Sequence, residues 1–159
     1  MKNLLLALTV VMASCARLDN DPSTSPGSGH IVDNLNNDSP FSPQYVPYNC
    51  SIFGDHDIFV EVDQDWYATS IPDENIGKPI TLRLSNIRTT GPVQFTRWFK
   101  QETGQIVYLG TFTIEDSTCC QSTFFSIYPG IYDNIIEVGM MIEGPEKGND
   151  YDFNWSVTH

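Results

Sequence analysis

The chain has 159 residues, with 8 Lys and Arg against 20 Asp and Glu, and a formal net charge of −12. At about 100–200 residues per domain it holds one domain with chain to spare, and an apolar fraction of 40% suffices for one core. So acidic a balance excludes nucleic acid as a partner, because phosphates must be neutralised by Lys and Arg, and it excludes electrostatic docking on anionic lipid.

The first element is an export signal, residues 1–14. Lys2 supplies a short positive start, and Leu4-Leu5-Leu6-Ala7-Leu8-Thr9-Val10-Val11-Met12 follows as an apolar run. A bilayer helix needs about 20 such residues, so this run is a secretory signal rather than a permanent span. Its end, Met12-Ala13-Ser14-Cys15, resembles the lipobox of bacterial lipoproteins, with Met12 where that motif usually has Leu. The resemblance implies cleavage before Cys15, diacylglyceryl transfer to its sulfur and acylation of its new amine. Three acyl chains exceed the two signals that stable anchoring requires, so the mature chain is expected to be tethered to a membrane through lipid. In Gram-negative lipoproteins an Asp after the lipidated Cys retains many in the inner membrane. Ala16 stands there, so the resemblance points to the outer membrane.

Residues 15–47 read as an acidic, flexible tether. Pro22-Ser23-Thr24-Ser25-Pro26-Gly27-Ser28-Gly29 buries too little apolar surface to offset its ordering entropy, and Ile31, Val32 and Leu35 stand isolated among polar residues. From residue 48 to residue 159 the pattern alternates. Ile58, Val60 and Val62 form one apolar face, Ile80, Leu82 and Leu84 another, then Ile136, Val138, Met140 and Ile142, and finally Tyr151, Phe153, Trp155 and Val157. Such alternation marks half-buried antiparallel strands. Further strands are expected at Trp66–Ser70, Val93–Lys100, Gln105–Ile114 and Cys119–Tyr128, which are rich in aromatic and β-branched residues. Turn chemistry at Asp73-Glu74-Asn75-Ile76-Gly77, Thr90-Gly91-Pro92, Glu102-Thr103-Gly104, Pro129-Gly130 and Gly144-Pro145 separates them. The fold class is all-β, a single antiparallel β-sandwich.

The order of these features resembles an immunoglobulin-like domain. Pro79-Ile80-Thr81-Leu82-Arg83-Leu84 matches a B-type strand. Phe95-Thr96-Arg97-Trp98-Phe99-Lys100 with Ile106-Val107-Tyr108 matches a C–C′ hairpin with its core Trp, and Phe153-Asn154-Trp155-Ser156-Val157 matches a final G-type strand. The family's cysteines are missing from the B-type and F-type strands. A jelly roll is the competing topology.

With Cys15 assigned to lipid, Cys50, Cys119 and Cys120 remain. In an exported chain a disulfide between Cys50 and one of Cys119 and Cys120 is expected, since adjacent residues on a strand face opposite ways.

Catalytic motifs are missing: there is no Gly-x-Ser-x-Gly elbow, His-Glu-x-x-His pair or phosphate loop, and His56 stands between Asp55 and Asp57 as a solvated turn residue would. No enzyme is expected. Between Arg17 and Lys78 lie eleven carboxylates and no Lys or Arg. Among them Asp55, Asp57, Asp63 and Asp65 are candidate oxygen ligands for calcium, the one cofactor the sequence suggests. Trp66-Tyr67, Trp98-Phe99 and the Tyr45/Tyr48 pair are candidates for a sugar-stacking platform, with Trp66, set among Asp63, Gln64 and Asp65, the ring expected to be exposed. The function expected is a non-catalytic cell-envelope lipoprotein presenting an Ig-like domain for protein interaction or a structural role. The alternative is a carbohydrate-binding surface lipoprotein using Trp66 or Trp98, and a small hydrolase built on His56 stands behind both. The partners are thus the membrane, through the anchor, and an envelope or extracellular protein or glycan.

Overall fold

Strands with one apolar face must cover it, and here two sheets do so against each other. A computed structural model describes residues 29–32, 37–55, 63–115, 117–128, 134–144 and 149–159, with backbone alone at 29–30, 55 and 117–120. Among the described residues ten strands follow in chain order: β1 Gly29–Val32, β2 Gln44–Tyr45, β3 Asn49–Asp55, β4 Gln64–Ser70, β5 Ile80–Thr89, β6 Val93–Gln101, β7 Ile106–Ile114, β8 Ser117–Ile127, β9 Ile135–Glu143 and β10 Asp150–Thr158. One sheet has the order β1-β3-β10-β5-β8 and the other β2-β4-β9-β6-β7. The all-β sandwich is therefore the architecture of the described residues.

The topology corrects the immunoglobulin-like expectation. An Ig-like final strand would lie beside the strand before it, but β9 and β10 lie in different sheets, and β10 pairs with β3 and β5. From β3 onward each connection crosses between the sheets except the β6–β7 hairpin, giving β3-β10-β5-β8 over β4-β9-β6-β7. That wrapped order is the jelly roll.

Two segments differ from the expected tether. Gly29–Val32 pairs in parallel with Cys50–Phe53 of β3, and Gln44–Tyr45 pairs in parallel with Tyr67–Ala68 of β4. The expected strand at Ile58–Val62 lies outside the described residues.

Between the sheets sit Ile52, Leu82, Leu84 and Ile87 from one side and Tyr67, Phe95, Phe99, Val138, Met140 and Ile142 from the other. Tyr151, Phe153, Trp155 and Val157 of β10 are all buried, while Asp152, Asn154 and Ser156 on its other face are half-buried, which is the register the alternation predicts. Phe153 meets Tyr67 and Phe95 edge to face, at 6.4 and 6.0 Å between centroids. Rings in that arrangement place positive edges on negative faces.

Candidate functional site

An open cleft of about 360 Å³ lies where β2 leaves the second sheet, lined by Tyr45, Val46, Pro47 and Tyr48 and, from the end of β4, Thr69, Ser70 and Pro72. Local chemistry explains its shape. The Val46 N–H still donates to Ala68 O at 2.8 Å, but Pro47 has no N–H to continue the ladder, so the chain turns away. Val46 is buried and its carbonyl accepts the Thr69 hydroxyl at 3.0 Å, which fixes the floor. Beyond it, Tyr48 O accepts the Val157 N–H, and Tyr48 Oη donates to Ser70 O at 3.3 Å. His159 stands edge-on to the Tyr48 ring at 5.2 Å and meets the Asn75 amide through Nε2.

One rim of this cleft carries charge. Tyr45 Oη donates to Glu137 Oε1 at 2.8 Å, and Lys100 Nζ donates to the same oxygen at 3.2 Å. Glu137 is buried, and its Oε2 has no hydrogen-bond partner among the described residues. Ser70 stands opposite Glu137 in the β4–β9 register, so cleft wall and carboxylate are neighbours across one rung. Burial first, then the hydrogen bond to Glu137 and its negative charge, push the Tyr45 hydroxyl up to about 12. Burial, chiefly, raises Tyr48 as well. Both rings therefore stay protonated donors at neutral pH.

The two tryptophans expected as a platform do come together, but as packing. Trp66 and Trp98 lie 5.5 Å apart on the outer side of the second sheet with Ala68, Ile106 and Met141. Trp66, expected to be exposed, is 3% exposed and Trp98 is fully buried. The reason is close approach: a Cβ on Gly139 would stand 2.3 Å from the Trp98 ring, so the missing side chain is what lets the indole lie flat on the strand. Tyr108, against Trp66 at 6.2 Å, is exposed, at 55%.

Of the four carboxylates expected to ligate calcium, the described residues bring together two, Asp63 and Asp65, and add Asp38, from the segment expected to be tether. One oxygen of each lies within 4.8 Å of the others. Asp65 points inward and accepts the Tyr151 hydroxyl at 2.6 Å, and the Tyr151 and Tyr67 hydroxyls are 2.8 Å apart. Hard carboxylate oxygens at this spacing suit a cation such as calcium in kind. The Asp55 side chain and all of Asp57, like His56, lie outside the described residues.

Cys50 is a free, buried thiol, pushed up to about 12 by burial alone. The expected bridge is thereby corrected, and the topology shows why. Cys50 shares a rung with Trp155, Leu84 and Thr123, so β8 lies three strands away, about 14 Å. Cys119 and Cys120 are displaced a further ~10–13 Å along β8, whereas a disulfide tolerates a Cα separation of about 7 Å. Cys15 lies outside the described residues. The chain matches no protein-family model and no curated protein.

Proposed function

We propose that this chain is a non-catalytic lipoprotein, exported and anchored through Cys15 to the outer membrane, whose jelly-roll domain recognises another envelope or extracellular molecule. Met12-Ala13-Ser14-Cys15 and Ala16 support the anchor and its membrane. The observation that carries recognition is the open cleft between Tyr45 and Tyr48, walled by rings, two prolines and hydroxyls. Its chemistry favours holding over reacting. A tyrosine that attacks a substrate needs a lowered pKa, and that of Tyr45 is raised.

Two measurements test this. Metabolic labelling with a palmitate analogue is expected to mark the wild type and not Cys15→Ala, and equal labelling of both refutes the anchor. A photoreactive amino acid placed at Tyr45 in living cells is expected to give a discrete adduct, and the same group at Arg83, on the outer face of the first sheet, is not. Identical adduct patterns at both positions refute recognition at the cleft.

A further inference from the structure

We infer that the Tyr45–Tyr48 end of the sandwich rests on the bilayer that holds the lipid anchor, its tyrosine and proline side chains among zwitterionic headgroups. This deepens the recognition reading above: it rests on the anchor at Cys15 and names what the cleft meets.

The way the chain enters the fold sets the geometry. β1 runs parallel to β3, with Gly29 beside Cys50 and Val32 beside Phe53, so the chain before Gly29 joins on the Tyr48 side. That is the end at which the cleft opens. Residues 16–28 separate Cys15 from β1. A coil of that length spans roughly 20 Å and reaches at most about 48 Å. β10, with 9 residues, sets the two ends of the sandwich about 30 Å apart. The anchor therefore holds the cleft end nearer the lipid than the other end. At the high effective concentration that a short tether gives, weak contacts suffice.

Chemistry divides the two ends in the same sense. At the cleft end Tyr45 and Tyr128 are 54% and 59% exposed, and Pro47 and Pro79 are exposed as well. Tyrosine, with an apolar ring and a polar tip, settles where hydrocarbon gives way to water. Asp73, Glu74 and Glu102 share this end with Lys78 and Lys100. Charges of both signs suit headgroups that carry a phosphate and an ammonium, and they give an anionic surface nothing to hold. The opposite end gathers Asp63, Glu115, Glu143 and Asp150, which a phosphate layer repels.

The test places the full lipidated chain in vesicles of phosphatidylcholine whose acyl chains carry bromine. An environment-sensitive fluorescent amino acid is set at Ser70, in the cleft wall, or at Thr90, exposed at the opposite end. Bromine quenching is expected at position 70 and not at position 90. Tyr45→Ala is expected to lower the docked-to-undocked ratio by about fivefold or more, as loss of one aromatic anchor does, while circular dichroism stays unchanged. Equal quenching at the two positions, quenching at position 70 that Tyr45→Ala leaves unchanged, or docking that requires anionic lipid overturns the inference. If position 70 stays in water while the photoreactive group at Tyr45 captures a protein, the bilayer falls and recognition at the cleft stands. If Cys15→Ala takes up the palmitate analogue like the wild type, the anchor falls and this inference with it.

Discussion

Replacing Trp155 by alanine tests whether the last strand closes the core and braces the cleft at once. Trp155 is 1% exposed, stands opposite Cys50 and Leu84 on the flanking strands, and donates its indole N–H to Thr69 Oγ1 at 2.9 Å. Thr69 in turn donates to Val46 O under the cleft. Truncating so large a buried ring costs about 3–5 kcal/mol in lost transfer and cavity. The lost hydrogen bond adds about 1 kcal/mol. Against a typical net stability of 5–15 kcal/mol this is about a quarter or more of the total. In urea, with a slope of about 2 kcal/mol/M, a loss of about 4 kcal/mol lowers the midpoint by roughly 2 M. The neighbour Asn154 is half-buried and accepts the Ser51 hydroxyl at 2.9 Å, so Asn154→Ala is expected to cost only about 0.5–1.5 kcal/mol. Trp155→Phe keeps most of the ring and loses the N–H, and is expected to fall between the two. Urea unfolding followed by circular dichroism at constant slope measures all three. A harmless Trp155→Ala beside a damaging Asn154→Ala would refute the register and, with it, the brace under the cleft.

Three further outcomes follow from the packing. Tyr151→Phe removes the donor to the buried Asp65 carboxylate and is expected to cost about 1–3 kcal/mol by thermal unfolding; a loss within error would show that the Tyr67–Tyr151–Asp65 chain is not formed. Gly139→Ala puts a methyl 2.3 Å from the Trp98 ring and 2.5 Å from the Tyr67 carbonyl, and is expected to cost about 1–3 kcal/mol and to shift tryptophan emission. Unchanged emission and stability would place Trp98 elsewhere. Cys50, buried with its thiol pushed up to about 12, is expected to resist alkylation at pH 8 until the chain unfolds, and non-reducing peptide mapping is expected to find no link from it to Cys119 or Cys120. Recovery of such a link would refute the strand order.

What could be read from the sequence is what period-two alternation encodes. On β10 and β5 one face is apolar and the other polar, so the alternation predicts both the strand and its inward face. Strand order is another matter, because an inward-facing Leu84 is the same signal whichever strand lies beside it. The jelly roll and the Ig-like sandwich therefore share one pattern, and only pairing separates them. β4 defeats the alternation outright: five consecutive residues, Asp65 to Thr69, are buried. Asp65 turns inward to Tyr151, which places Trp66 on the outer side against Trp98 and leaves neither face wet. A carboxylate beside an indole reads in sequence as a solvated segment, and here both expectations invert together. β3 carries a weak strand signal for a related reason. Gly54 on its inward face leaves room for the Tyr151 ring, which would lie 2.3 Å from any Cβ there, so the residue that packs best contributes no apolar signal.

The candidate site shows the same limit from the other side. Tyr45 and Tyr48 are three residues apart and visible as a pair, but what makes them a site comes from far along the chain. Ser70 and Pro72 arrive 22 and more residues later, and Glu137 is 92 residues from the tyrosine it accepts from. In sequence Glu137 is one carboxylate among many on an alternating strand, where an exposed position is the ordinary reading. The fold gives it a different surrounding: β9 is central in its sheet, between β4 and β6, so the outward side chain at Glu137 is flanked by Ser70 on one side and Lys100 on the other. A neighbour on each side removes water from the carboxylate, and Tyr45 and Lys100 satisfy one of its oxygens. The burial of the carboxylate thus follows from strand order, as does its place beside an exposed tyrosine ring.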